Sequence, residues 1–154
     1  MIVQKVLNNS LVLSMDDDNR EVIVMGKGIG FNSRPGDAIA PEKIEKLFVT
    51  QALGARSGYL EALSAIPDEV IEMAAMIISR ANMQLASKVR EQIFFTLADH
   101  LTFAIERSRK GIAIQNRLLP EVRRFYPQQF RVASEAVTII RQQYGIELPE
   151  EEAG

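Results

Sequence analysis

A lone histidine, an Asn-Asn-Ser turn, a glycine-rich run and a basic stretch are where this sequence could do chemistry. His100 stands in Leu97-Ala98-Asp99-His100-Leu101. Its imidazole could serve as a general base, a pH switch or a phosphate acceptor through a ring nitrogen. Its spacing from Leu97 and Ala104 puts it at the border of an apolar helix stripe, where a partly buried structural His is the plainer reading. Hydrolysis lacks partners, because there is no nucleophile elbow and Asp99, its helix neighbour, projects about 100° away. No catalytic residue is therefore assigned.

Met25-Gly26-Lys27-Gly28-Ile29-Gly30-Phe31 has enough glycine to cradle a phosphate. It does not match the P-loop pattern, and Phe31 stands where the third glycine of a dinucleotide-binding run belongs. Phe31-Asn32-Ser33-Arg34-Pro35-Gly36 cannot open the helix that such a unit needs. What is left is backbone open to close approach, a cation at Lys27 and a ring on a loop. Proteins hold looped or single-stranded RNA with these means. A tight hairpin with Phe31 packed on a sheet uses the same residues and needs no ligand. Asn8-Asn9-Ser10 likewise could read base edges or simply turn the chain.

Composition narrows the field. The 154 residues carry 18 Lys+Arg against 20 Asp+Glu, one His, no Cys and no Trp, with 47% apolar and 25% charged residues. That balance reads as soluble, globular and cytoplasmic, with room for one ordinary domain or two small ones. Without Cys there is no disulfide, thiolate nucleophile or Cys-bound zinc, and one His cannot build a His-rich zinc shell. No metal and no cofactor is expected. No run approaches 18 apolar residues, so no spanning helix is expected. Met1-Ile2-Val3-Gln4-Lys5 lacks the plan of a signal peptide. From Arg107 to Arg131 there are seven basic residues (Arg107, Arg109, Lys110, Arg117, Arg123, Arg124, Arg131) and one acid, Glu121. Such a stretch could meet an anion, although the solvated outer face of a helical bundle explains it as well.

These residues need elements to position them, and the hydrophobic period changes between residues 50 and 66. Before it, Lys5-Val6-Leu7, Leu11 to Met15 and Glu21 to Met25 alternate with Asn/Asp clusters, a strand–turn–strand pattern. Pro35-Gly36 suits a type II turn, and a last strand is expected over Lys43 to Val49. A four-stranded antiparallel sheet of about fifty residues is marginal alone, which makes dimerisation an economical support. Gln51 to Gly58, with two Gly and no period, reads as linker. Helical stripes follow: Val70, Ile71, Ala74, Ile77, Ile78, Ala81 and Leu85, then Ile93, Phe94, Leu97, Leu101, Ala104 and Ile105. Leu118 to Tyr126 and Phe130 to Tyr144 make two more helices, separated by Pro127, with Gly145 as a C-terminal stop. Leu148 to Gly154 resembles the first turn of a further helix, so the chain is expected to end inside one. The fold class is α+β in two modules. The expected division is a sheet domain over 1–55, a linker over 56–66 and a four-to-five-helix bundle over 67–154.

The ordered set of pieces is specific where each alone is weak. Lys5-Val6-Leu7-Asn8-Asn9-Ser10, Val24-Met25-Gly26-Lys27-Gly28-Ile29-Gly30-Phe31, Gly36-Asp37 and Lys43 to Phe48 resemble the co-antiterminator RNA-binding domain. That domain opens the BglG/SacY family of bacterial transcriptional antiterminators. Leu97 to Leu101 with Phe103-Ala104-Ile105, Gly111, Asn116, Leu118-Leu119, Glu121, Tyr126, Phe130 and Leu148 to Gly154 resemble the first PTS regulation domain of the same proteins. The resemblance spans nearly the whole chain. It implies a homodimer that grips an RNA hairpin and so excludes an overlapping terminator. It also implies regulation through histidines phosphorylated by sugar phosphotransferase system proteins.

By position, the resemblance places Lys5, Asn8, Asn9, Ser10, Gly26, Lys27, Gly28, Phe31 and Arg34 at the RNA. Lys5 and Lys27 would neutralise phosphates, Gly26 would admit the backbone and Phe31 would stack on a loop base. Ser10 replaces the third Asn of the family's run and reaches less far. Arg34 keeps one charge of a basic pair whose other member is Ser33 here. His100 matches the first phosphorylated histidine, with Arg107, Arg109 or Lys110 as possible receivers of the added charge. The second histidine of the domain would lie beyond Gly154 and the second regulation domain does not follow, so a truncated protein or fragment is expected. The rival is a dimeric phosphotransfer or sensor module without RNA binding. Neither DNA nor a membrane is an expected partner, since no recognition helix with a basic face appears.

Overall fold

The structure is a computed structural model that describes residues 1–50, 59–90, 93–112 and 114–154. The chain divides into two compact units, Met1–Ile71 and Glu72–Gly154. In the first, four strands run in sheet order β1-β2-β3-β4, every neighbour antiparallel: β1 (Lys5–Val6), β2 (Leu11–Met15), β3 (Glu21–Met25) and β4 (Lys46–Val49). Register follows the turns. Leu11 faces Met25 and Met15 faces Glu21 across the β2–β3 pair. The Asp16–Arg20 connection closes that pair, with Asn19 at φ 60°, a left-handed position that Asn tolerates. Leu11, Val12, Leu13, Val22, Ile23, Val24 and Met25 are all buried, so both sheet faces are covered. Alternate residues serve opposite faces. Val12, Val22 and Val24 join Val3, Ile29 and Ile39 in one core cluster. Ser14, a fully buried polar residue of β2, is satisfied by donating its hydroxyl to the Ile2 carbonyl at 2.7 Å.

The expected strand over Lys43 to Val49 is shorter than the sequence implies. Pro41 fixes φ and offers no N–H, and Pro41–Lys43 form a 3-10 turn. Lys43 N–H bonds to Ala40 O at 3.0 Å and Ile44 N–H to Pro41 O at 3.2 Å. Pairing begins only when Glu45 N–H reaches Met25 O at 2.8 Å. The Pro35-Gly36 turn is as expected: Gly36 takes φ 97° and Asp37 N–H closes on Arg34 O at 3.0 Å.

The linker expected over Gln51 to Gly58 lies outside the described residues. Beyond it, Tyr59–Ser64 form a helix, α1, inside the stretch that sequence assigned to linker. Leu63 and Ile66 bury themselves there. Next comes α2 (Asp68–Gln84), which opens in the first unit and gives the rest of its length to the second. The second unit continues with α3 (Ile93–Arg109), α4 (Leu119–Phe125) and α5 (Pro127–Tyr144). Phe94, Ala98, Leu101, Ala104 and Ile105 form the buried stripe of α3; Val132, Ala136 and Ile140 form that of α5. Pro127 does not merely separate two helices. It begins α5, where its missing N–H is no loss. Gly145 ends α5 at φ 67°, its N–H on Arg141 O, the left-handed stop expected of it. The terminal acidic run forms a 3-10 turn, Glu150–Ala153, in place of an α-helical start. Glu152 N–H bonds to Pro149 O and Gly154 N–H to Glu151 O, both three-residue spans.

Candidate nucleic-acid interface and histidine site

Two turns meet at one end of the sheet. The β1–β2 connection carries Asn8, Asn9 and Ser10; the loop leaving β3 carries Gly26 to Phe31. Gly26 N–H donates to Ser10 O at 3.0 Å and Gly30 N–H to Asn9 O at 2.9 Å. Those two bonds join the candidate residues into one surface. Glycine is needed for the approach. A Cβ on Gly26 would strike the Lys43 carbonyl oxygen, and one on Gly30 would strike that of Asn8. Gly28, at φ 68°, turns the loop, and Phe31 N–H closes on Gly28 O at 3.0 Å. Ser33 fastens the far side by donating its hydroxyl to Ile29 O at 2.8 Å.

The ring this loop presents is not packed on the sheet. Phe31 is 64% exposed, which removes the plain-hairpin reading of its side chain. Lys5, Asn9, Lys27 and Arg34 are exposed as well. Lys5 stands on β1 ahead of the first turn. Arg34 belongs to the following turn, where its N–H donates to Asp37 Oδ2 at 2.9 Å. An exposed cation that sequence reasoning missed is Lys43, whose carbonyl abuts Gly26. Its sequence signal, a basic residue after Pro41-Glu42, is too common to be read as a site.

Asn8 and Ser10 are placed differently from the rest. The Asn8 amide Nδ2 donates to Leu63 O at 3.1 Å and Ile66 O at 3.3 Å, while its Oδ1 accepts from Ser10 N–H at 2.9 Å. Ser10 is 9% exposed, and its hydroxyl donates to Asp68 Oδ1 at 2.9 Å. Leu63, Ile66 and Asp68 lie more than fifty residues away in sequence, and nothing in residue type announces them.

His100 lies on α3, its side chain 49% exposed, with Nε2 at 3.3 Å from Glu152 Oε2. Glu152 is the side chain that sequence missed here. It is only 3% exposed, and its Oε1 receives Arg107 Nη2 at 2.8 Å. One carboxylate of the terminal 3-10 turn is thus shared by the histidine and the nearest of the three basic residues that sequence had named. Apolar side chains surround the group: Leu97, Leu101 and Ala104 of α3, Val137 and Ile140 of α5, and Leu148 line the same small cavity. Further round the bundle, Arg123 pairs with Glu150 and lies over the Phe130 ring at 5.2 Å, and Arg124 lies over Phe125 at 5.5 Å. Three of the seven basic residues of that stretch, Arg107, Arg123 and Arg124, are therefore engaged within the unit. Among the described residues, no group of three His, Cys, Asp or Glu could hold a metal ion. No described helix is long and apolar enough to cross a membrane.

Comparison with known proteins covers both sites. The family model for the CAT RNA binding domain matches residues 1–54, and that for the PRD domain matches residues 75–154. The chain belongs to the CAT–PRD family. Over all 154 residues it is 40% identical to a "Beta-glucoside operon antiterminator" of Dickeya chrysanthemi, covering 54% of that protein. It is 36% identical to "Transcription antiterminator LicT" of Bacillus subtilis, covering 56% of it. The chain thus spans about half the length of these curated relatives. A crystal structure of GlcT CAT-PRDI superposes with a TM-score of 0.83 at 28% identity, covering 99% of this chain and 90% of that one. In this CAT–PRD chain, the joined turns fall within the CAT match, and His100, Arg107 and Glu152 fall within the PRD match.

Proposed function

We propose that this chain acts as an RNA-binding transcriptional antiterminator in the cytoplasm and not as an enzyme. As a homodimer it would hold an RNA hairpin and so exclude an overlapping terminator. The names of its relatives, a beta-glucoside operon antiterminator and the transcription antiterminator LicT, point the same way. The observation that carries the reading is the Phe31 ring, 64% exposed on a glycine loop with Lys27 beside it. Exposing a ring to water gains nothing for the fold, whereas an unpaired loop base can stack on it. Lys5 and Lys27 supply charge for phosphates. Specific contacts from exposed polar groups such as Asn9 suit the looped part of a hairpin, not a regular duplex.

His100 is the proposed regulatory site, phosphorylated by a sugar phosphotransferase system protein. A phosphoryl group brings a charge of about −1.5 to −2 near neutral pH. On His100 it would stand against the Glu152 carboxylate, now 3.3 Å from the ring. Arg107 is the cation that both anions would claim. The added repulsion acts on the terminal 3-10 turn, the element that carries Glu152.

The test is titration of a labelled hairpin with asymmetric internal loops, at two salt concentrations, against wild type and Phe31→Ala. Loss of the stacking ring should weaken binding by about 1–3 kcal/mol while leaving the fold unchanged by circular dichroism. Equal binding by the variant would remove the site from the glycine loop. No hairpin binding by a folded dimer would favour the sensor module, for which the His100–Glu152–Arg107 group is the supporting observation.

A further inference from the structure

Of the three polar side chains in the β1–β2 turn, Asn9 is exposed, whereas those of Asn8 and Ser10 are already in use. Every hydrogen-bonding group of the Asn8 amide end is engaged: Nδ2 by two carbonyls, Leu63 O and Ile66 O, and Oδ1 by Ser10 N–H. Ser10 gives its only hydroxyl proton to Asp68. The acceptors are two carbonyl oxygens and one carboxylate, which are the chemical counterparts of base carbonyls and a phosphate. We propose that the Leu63–Asp68 segment is an internal occupant of the RNA-reading turn. RNA that uses Asn8 and Ser10 must displace it.

The position of the segment makes this a coupling device. Leu63 lies in α1, and Asp68 is the first residue of α2. The first turn of α2 is also held by Pro67, whose carbonyl accepts from Val70 and Ile71 N–H. A carboxylate in that turn is favoured by the helix dipole, so Asp68 is held by α2 whether or not Ser10 is present. It also repels an approaching phosphate. Movement of the Leu63–Asp68 segment away from the turn would free three donor hydrogens and withdraw one negative charge in a single step. RNA that bound these groups would, by reciprocity, favour the displaced α2 start.

This inference rests on the RNA-binding reading, and the experiment separates the two. Hairpin affinity is measured for wild type, Asp68→Ala and Asp68→Asn in the full chain at one salt concentration. Asp68→Ala removes the acceptor and should bind about three- to tenfold more tightly, the net worth of roughly one ordinary hydrogen bond. Asp68→Asn keeps an acceptor oxygen and should fall between. Wild-type binding that Asp68→Ala leaves unchanged or weakens overturns the internal occupant and leaves RNA recognition standing. Binding by the variant and not by wild type supports both ideas; binding by neither overturns both. A second readout needs no substitution and decides the matter should Asp68→Ala not fold. Saturating wild type with hairpin should speed amide exchange at Val70 and Ile71, and slowed or unaltered exchange there counts against the proposal.

Discussion

At Gly26 and Gly30 the loop after β3 runs so close to neighbouring backbone that no side chain fits. Neither position has the positive φ that usually explains a glycine; the requirement is space. Gly30→Ala should push the loop off the Asn8 carbonyl and break the Gly30–Asn9 bond, at a cost of about 1–3 kcal/mol. A lowered urea midpoint with an unchanged slope is the check. Asp16 makes a different kind of residue-scale prediction. Arg20 N–H, bonded at 2.8 Å, does most to hold its carboxyl below the ordinary value; desolvation opposes it, and the Arg20 guanidinium and Asp18 N–H add to the lowering. A depressed carboxylate stabilises the folded state above its unfolded pKa, near about 3.9, and loses that effect as pH falls through the folded value. Asp16→Ala should therefore be less stable than wild type at neutral pH, with the gap closing in acid. Melting curves of both proteins from pH 7 down to pH 2 test the sign. At this scale the sequence was partly legible. His100, Phe31 and the glycines stand out by type, but Glu152 is one of three consecutive acids, and its burial depends on where the turn after Pro149 sends it.

The elements were legible where local chemistry decides and illegible where context does. Strands β2 and β3 and the Gly145 stop follow from β-branched runs, Asn/Asp turns and a left-handed glycine. The existence of α2 and α3, though not their exact ends, follows from a 3.6-residue apolar stripe. Helix α1 has only six residues, too few to show a period or to be stable by itself. The start of β4 was misplaced because the Pro41 turn outweighs the β propensity of Ile44. The terminal 3-10 turn makes an element-scale prediction. Its attachment runs through Glu152, a carboxylate among apolar side chains with Arg107 as its bonded cation. Removing the cation from such a pair costs about 3–5 kcal/mol if the carboxylate stays buried, more than a single turn can sustain. Arg107→Ala should therefore release Glu150–Ala153 locally, seen as faster amide exchange at Glu152 and Gly154, with global melting shifted less than that range implies.

Across the whole molecule the charge is slightly negative, 18 basic against 20 acidic side chains, so general affinity for polyanions is not what would bring RNA to the surface. On the proposed reading, binding would come from the few cations at one sheet end. Neutralising Lys5 or Lys27 should each reduce the slope of log affinity against log salt by about one, whatever the hairpin sequence. An unchanged slope would place the phosphates elsewhere. The sheet order β1-β2-β3-β4 has a kinetic consequence. Each strand pairs with the one just before it in the chain, so no pairing has to wait for a distant segment. Sheets built from such near-neighbour contacts fold faster than those with long crossovers. Because synthesis proceeds from the N-terminus at about 5–20 residues per second, the sheet can assemble on the ribosome while α3 to α5 are still being made. The turn proposed to read RNA would then exist for a few seconds before its proposed internal occupant and before His100.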